Sequence, residues 1–284
     1  MPAAPLHLVK IESLDDPRVA DYRNLQDAQL RHLADPEAPG LFMAEGELVV
    51  RQLVRSRLST RSVFITQPRL DSLWPDFQAL PAGTPIFTAD QDIMNGIVGF
   101  NIHRGVLAAG ERPADPDLDQ ILSSSATLLV LEDLANHDNV GGIFRATAAV
   151  GGIAVLGSPT PAGASILLSP RCCDPLYRKA IRVSMGAALQ VPFSRLTPWT
   201  NALANLRSRG WTLVALTPDP AAIAIDHLPP ISRPALMLGA EGPGLTESAM
   251  AAAEIRVRIP ISPAVDSLNV VTAAAIALHR LARP

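Results

Sequence analysis

Cysteine is almost missing from this 284-residue chain: the two present, Cys172 and Cys173, are adjacent. Chain neighbours rarely bridge to each other, and no Cys-x-x-Cys or Cys/His spacing supplies a metal set. The expectation is a reducing cytoplasm and no metal. Long apolar runs are missing too. No stretch of about 18 apolar residues lacks charges and helix breakers, so no membrane span is expected. The opening MPAAPLHLVKIESLDD has no apolar segment behind a basic start, and no secretory leader is expected. Charged residues are only 18% and hydrophobic ones 48%, which excludes a disordered tail or a coiled coil and allows a real core. Lysine is scarce as well: Lys10 and Lys179 are the only two among 24 basic residues. A GC-rich codon bias accounts for this chain-wide skew more simply than a preference of arginine for bidentate phosphate contacts.

The net charge of −3 argues against a broadly basic nucleic-acid surface. That average covers unlike parts. Residues 1–110 carry 10 basic and 13 acidic groups, residues 111–119 one and four, and residues 120–284 carry 13 and 10. The C-terminal part is mildly basic, densest around Arg171, Arg178, Lys179 and Arg182. Any RNA would be met by local patches and shape.

Glu111–Asp119 is rich in Pro and Asp, which reads as a linker. The expected organisation is a domain over residues 1–110, a linker over 111–122 and a second domain over 123–284. In the first, Leu41–Ala44, Ser62–Thr66, Pro85–Thr88 and Gly105–Ala109 read as strands and Glu45–Arg57 as a helix, a small α/β domain. In the second, strands are expected at Thr127–Leu131, Ile153–Leu156, Thr212–Leu216, Ala235–Leu238 and Glu254–Ile259. Helices are expected at Val140–Val150, Thr200–Arg209, Thr246–Ala253 and Leu268–Leu281. Continuous apolar strands between helices predict a mainly parallel sheet covered on both faces.

Ligands of such sheets bind beyond the carboxyl ends of the strands, and three loops there stand out. In the first, Asn139 reads as the N-cap of the following helix, and Gly141 and Gly142 in its first turn suggest close backbone approach. Arg145 follows among Ile143, Phe144 and Ala146, poised for an anion. The second loop holds Glu241 among Gly239, Gly242 and Gly244. It is neither GxGxxG nor a lysine-bearing phosphate loop, and its carboxylate suits a ribose or an amine. The third runs from Ile259-Pro260 to Ser267-Leu268-Asn269, with Asp266 or Ser267 as the N-cap of an Ala-rich helix.

Together these loops resemble the SpoU/TrmH family of RNA ribose methyltransferases, over residues 126–284. Asn139, Gly141 and Arg145 match its N-x-G-x-x-x-R motif. Gly239, Glu241, Gly242, Gly244 and Leu245 match G-x-E-G-x-G-L. Ile259, Pro260, Ser267, Leu268, Asn269, Val270 and Ala273 match the third motif. Asp174–Gly186 is similar to the family's middle region. Ser262-Pro263-Ala264 departs from it, since a glycine often stands there. The resemblance implies an α/β fold with a C-terminal trefoil knot, which sequence physics alone would not propose. It also implies an S-adenosylmethionine site at Leu216, Thr217, Gly239, Glu241, Gly242, Gly244, Ile259, Ile261 and Leu268. Methyl transfer to a ribose 2′-hydroxyl would involve Arg145, Asn139, Glu241, Ser267 and Asn269, in a homodimer packed through the knotted domain.

The N-terminal block is similar to the family's ribosomal-protein-like α/β/α substrate domain, on Phe42–Glu45-Gly46 and on His103-Arg104-Gly105. Expected RNA contacts are Arg51, Arg55, His103, Arg104, Arg178, Lys179 and Arg182. The substrate expected from this reading is ribosomal RNA. Transfer RNA, an antibiotic-resistance methylase and a catalytically silent ribosome-assembly factor are the alternatives. A nicotinamide oxidoreductase is disfavoured by the missing GxGxxG.

Overall fold

The computed structural model describes residues 6–23, 25, 30 and 39–281. Met1–Pro5, part of the stretch read for a leader, and Ala282–Pro284, the end of the second expected domain, lie outside the described residues. The chain forms two units, Met1–Ala114 with Leu176–Gln190, and Asp115–Pro175 with Val191–Pro284.

The first unit holds β1 (His7–Lys10), β2 (Leu41–Glu45), β3 (Thr60–Thr66), β4 (Pro85–Ala89) and β5 (Val106–Glu111) in the order β1-β4-β3-β5-β2. The first three of that order are parallel, and β5 runs antiparallel to β3 and β2. Helix Glu47–Arg55 buries Val49, Val50, Leu53 and Val54, the apolar stripe legible in sequence. β1 and the helices Gln67–Phe77 and Gln91–Val98 were not among the expected elements. β1 is a mostly exposed edge strand and carries no burial pattern to read.

One boundary needs correction. Leu176–Gln190, expected in the second domain, belongs to the first unit. Its helix Arg178–Val183 lies against β2 and buries Ala180 and Ile181. Arg112 Nη2 donates to the Leu176 carbonyl at 3.4 Å, and Gln190 Nε2 to the Gln52 carbonyl at 2.8 Å. Alternation of elements does not reveal which sheet a short helix covers. The expected linker 111–122 is also too long. Asp117 accepts from the Asp119 amide and caps a helix, Leu118–Ser124, that buries Ile121 and Leu122.

The second unit is a seven-stranded, wholly parallel sheet: β6 (Thr127–Leu131), β7 (Ala164–Leu168), β8 (Phe193–Arg195), β9 (Thr212–Leu216), β10 (Ile223–Ala224), β11 (Pro234–Leu238) and β12 (Ile255–Arg258). Their order is β10-β12-β9-β11-β6-β7-β8. The expected strand Ile153–Leu156 is corrected: Ile153 makes only an isolated bridge to Ala164, and the strand is β7. Ile153 and Val155 are exposed, at 40% and 67%, while Ala154 between them is buried, so the run covers the core without joining the sheet ladder.

Strand side chains alternate between faces. Leu128, Val130, Leu213, Ala215, Ala235 and Met237 join one core with residues of Leu118–Ser124, Trp199–Ser208 and Glu247–Ala252. The intervening Leu129, Val214 and Leu236 are equally buried. Helices His137–Ala146 and Val270–Leu281 pack together, and the second rests on β11. From β6 the chain builds outward to β8, then resumes on the other side with β9 to β12. The order therefore reverses between β6 and β11, the place where open α/β sheets form a ligand crevice.

Candidate active site

β6 runs out at Leu131 into a polar loop. Asn136 Oδ1 accepts the Asp138 amide at 2.9 Å and caps the helix that starts at His137. This corrects the reading of Asn139 as N-cap. With the cap supplied three residues earlier, Asn139 stands inside the first turn, only 5% exposed, and its amide is free for longer-range bonds. Asn139 Nδ2 donates to Glu241 Oε1 at 2.5 Å. Asn269 Nδ2 donates to Asn139 Oδ1 at 3.1 Å and to Glu241 Oε1 at 3.5 Å. One residue from each motif loop thus meets in a single polar cluster.

Asn269 does a second thing. Its Oδ1 accepts the Val271 amide at 2.9 Å, at the start of helix Val270–Leu281. Asn269 therefore takes the capping position expected of Asp266 or Ser267. The same side chain caps the helix through its oxygen and joins the cluster through its nitrogen. Among the described residues, Ser267 makes no hydrogen bond and is exposed.

The loop after β11 is shaped by glycine. A Cβ on Gly239 would stand 2.1 Å from the Gly244 carbonyl carbon and 2.2 Å from the Leu245 nitrogen. No side chain fits there. The Gly244 amide donates to the Ala240 carbonyl at 2.9 Å and closes the turn that presents Glu241. Leu216 ends β9 and Thr217 follows it, and Ile259 and Ile261 follow β12. Since β12, β9 and β11 are neighbours, these residues and the glycine loop lie at the carboxyl ends of three adjacent strands. Leu216, Ile259, Ile261 and Leu268 are half-buried. Half-buried apolar side chains beside a close-packed glycine backbone suit an adenosyl group held by main-chain contacts.

Arg145 is exposed although Ile143 and Phe144 beside it are buried. Among the described residues it has no hydrogen-bond or ion-pair partner, so its guanidinium is available to an anion.

The expected RNA contacts of the first unit are placed differently from one another. Arg51 Nε and Arg55 Nη2 both bind the Asp76 carboxylate, at 2.7 and 2.8 Å. Burial works to raise that carboxyl's pKa, but the two arginines outweigh it and hold it below the ordinary range. His103 and Arg104 are exposed, and the Arg104 stem passes Gly46 so closely that a Cβ there would lie 2.7 Å from it. Arg178 lies over the Phe100 ring at 5.1 Å, while Lys179 and Arg182 are exposed.

Sequence reasoning missed Glu132. It is 2% exposed. Its Oε1 accepts from Trp199 Nε1 at 3.1 Å and Thr246 Oγ1 at 2.8 Å, and its Oε2 from the Thr246 amide at 2.8 Å. This carboxylate pins the end of the glycine loop to the end of β6. The sequence signal is an acid placed directly after a fully apolar strand, where a lone charge would be costly to bury.

Comparison with known proteins agrees with this geometry. The sequence model of the SpoU rRNA Methylase family matches residues 126–279. A Mycobacterium bovis protein described as an uncharacterized tRNA/rRNA methyltransferase is 40% identical over 279 residues, covering 95% of this chain and 90% of its own. The 23S rRNA (guanosine-2'-O-)-methyltransferase RlmB of Acinetobacter baylyi is 32% identical over 212 residues, covering 72% and 81%. Among solved structures, the AdoMet-bound rRNA methyltransferase of Sinorhizobium meliloti shares the fold, with a TM-score of 0.75 at 22% identity over 96% of this chain and 97% of that one.

Proposed function

This chain belongs to the SpoU rRNA methylase family, and from that premise we propose that it methylates a ribose 2′-hydroxyl of ribosomal RNA using S-adenosylmethionine. The observation that carries the reading is the Asn139–Glu241–Asn269 cluster, which joins all three motif loops at the reversal point of the sheet. Leu216, Thr217, Gly239, Ile259, Ile261 and Leu268 would hold the cofactor, with Glu241, Gly242 and Gly244 shaping its loop. The chemistry it supplies when bound is an electrophilic methyl on a sulfonium.

The chain's own task is then to position a weakly acidic hydroxyl, which contributes several kcal/mol when alignment is right. Arginine hardly deprotonates in proteins. Arg145, exposed and without a partner among the described residues, serves better as a clamp on the neighbouring phosphate and a stabiliser of the developing alkoxide. The cluster and Ser267 orient the ribose. The threaded C-terminus belongs to the same reading: helix Val270–Leu281 leaves β12 and returns to pack on His137–Ala146 and β11. So does a homodimer through this unit, supported by the exposed apolar Val265 and Ile276, with Arg145 supplied across the interface, and so does action in the cytoplasm. Among the described residues, no helix is long and apolar enough to cross a membrane.

The test uses tritiated S-adenosylmethionine with purified ribosomal RNA and, in parallel, transfer RNA. Label is expected in ribose of ribosomal RNA. Arg145→Ala should abolish labelling and leave cofactor affinity unchanged. Full activity of that variant would overturn the role of Arg145, and absence of cofactor binding by calorimetry would overturn the reading.

A further inference from the structure

The tie between Glu132 and Thr246 has a cleft beside it. The cleft measures about 220 Å³ and is also lined by Asp133, Pro170, Arg171, Trp199 and Ser248. It opens at the carboxyl ends of β6 and β7, whereas the cofactor residues lie beyond β9, β11 and β12.

Its walls are held in place before any ligand arrives. Trp199 is half-buried, packed partly on the core, and lines the cleft with its indole N–H bonded to Glu132. Asp133 has a left-handed backbone, φ 58°, in a residue that is not glycine. It is braced by Ser169, whose Oγ accepts its amide at 2.9 Å and donates to its Oδ1 at 2.8 Å. Arg195 Nη1 donates to the carbonyls of Ser169, Pro170 and Cys172 at 3.3, 3.4 and 3.0 Å, and its Nη2 to that of Cys173 at 3.4 Å. One guanidinium thus clamps the loop that carries Arg171.

Arg171 stands at the rim with 77% of its side chain exposed. Among the described residues it pairs with Asp133 through Nη2, which leaves further donors of the guanidinium unused. The two acids do not make this a cation site: Asp133 is paired with Arg171, and Glu132 is engaged by three donors. What remains is a flat aromatic face, a proline surface, an arginine with spare donors and the hydroxyl of Ser248. Aromatic side chains and arginine are how proteins take up an unstacked base and its phosphate.

We propose that this cleft receives an unpaired nucleobase of the substrate RNA flanking the methylated nucleotide, stacked on Trp199, with Arg171 on the phosphate between the two. This rests on the RNA methyltransferase reading. It makes Trp199 and Arg171 substrate-positioning residues and Arg195 a support for them.

The test is photocrosslinking of the full chain to a single-stranded RNA 12-mer of randomised sequence carrying 5-iodouridine, with peptide mapping. It is paired with the Kd of the same RNA, fluorescein-labelled, for Trp199→Phe, Trp199→Leu and Arg171→Ala. Crosslinks are expected on the Trp199 peptide. Phe keeps a ring but loses the indole N–H, so its Kd should stay within about twofold, whereas Leu should raise Kd about tenfold. Both lose the bond to Glu132, so a role exerted through that bond alone would weaken them alike. Arg171→Ala should weaken binding and reduce the salt dependence by about one ion. Equal Kd values for Phe and Leu, or no crosslink at Trp199, would overturn the proposal. Methyl transfer to ribosomal RNA by the wild type is scored separately. Its absence with Trp199 crosslinks intact would end the functional reading and leave the cleft standing.

Discussion

Gly142 and Val271 touch so closely that a Cβ on Gly142 would stand 2.7 Å from Val271 Cγ2. This contact sets the approach of helix His137–Ala146 to helix Val270–Leu281, and with it the meeting of Asn139 and Asn269. The glycine that weakens the helix locally is what lets two motif residues bond across 130 positions. Gly142→Ala gains about 1 kcal/mol of helix propensity, but overpacking costs about 1–3 kcal/mol. The expected net result is an unchanged or lower Tm, together with at least a tenfold loss of methyl transfer as Asn269 is displaced. Thermal denaturation and a labelled-cofactor assay check this, and wild-type activity would refute it.

Asn139 donates to a carboxylate, so its replacement by a second carboxylate should be worse than its removal. Asn139→Ala leaves Glu241 with Asn269 alone. Asn139→Asp sets two negative oxygens at hydrogen-bond distance. Turnover is expected to fall about tenfold in the first variant and further in the second. Steady-state kinetics at pH 8 decides, and the reverse ranking would contradict the observed direction of the bond.

Gly239→Ala should abolish cofactor binding with little effect on RNA affinity. The added methyl meets backbone, not a flexible side chain, so the Gly239–Leu245 turn must open. Calorimetric titration with S-adenosylmethionine measures it. An affinity within threefold of wild type would show that the turn is not part of the cofactor site.

Asp76 supplies a pH-dependent stability term. Its pKa in the folded chain is lowered. The contribution is therefore fully present above the unfolded value of about 3.9 and is lost as pH falls through the folded value. Arg55 is 61% exposed and Arg51 27%, so solvent screening keeps the term small. Asp76→Asn should lower Tm at pH 7 and approach the wild type as pH is taken toward 3. A gap that does not narrow would place the effect elsewhere.

The adjacent cysteines should be inert in the folded chain. Burial pushes the Cys173 thiol up to about 12 and also raises that of Cys172. Little thiolate exists at pH 8, and the thiolate is the nucleophile. Alkylation by iodoacetamide is expected to run at least tenfold slower in native protein than in urea, as read by intact mass. Equal rates would show that the β7–β8 side of the sheet opens readily.

Much of the sheet was legible because its strands are buried on both faces and read as unbroken apolar runs. β6, β9 and β11 are of this kind. β1 and β10 were not, since edge strands have no such signature. Ile153–Leu156 misled for the opposite reason, an apolar run that makes only an isolated bridge to the sheet.

The same division holds for the site. The residue types and their order, Asn139 with Arg145, Glu241 among glycines and Asn269 at a helix start, are properties of the sequence. Which of them touch is not. Asn136 rather than Asn139 caps its helix because local hydrogen bonds compete and the tertiary partner of Asn139 lies 102 residues away. Glu132 and Trp199 acquire a role only when strands distant in sequence become neighbours. Periodicity and local bonding act over a few residues and are written into the chain. The pairing of loops depends on sheet order, and only the folded molecule decides that.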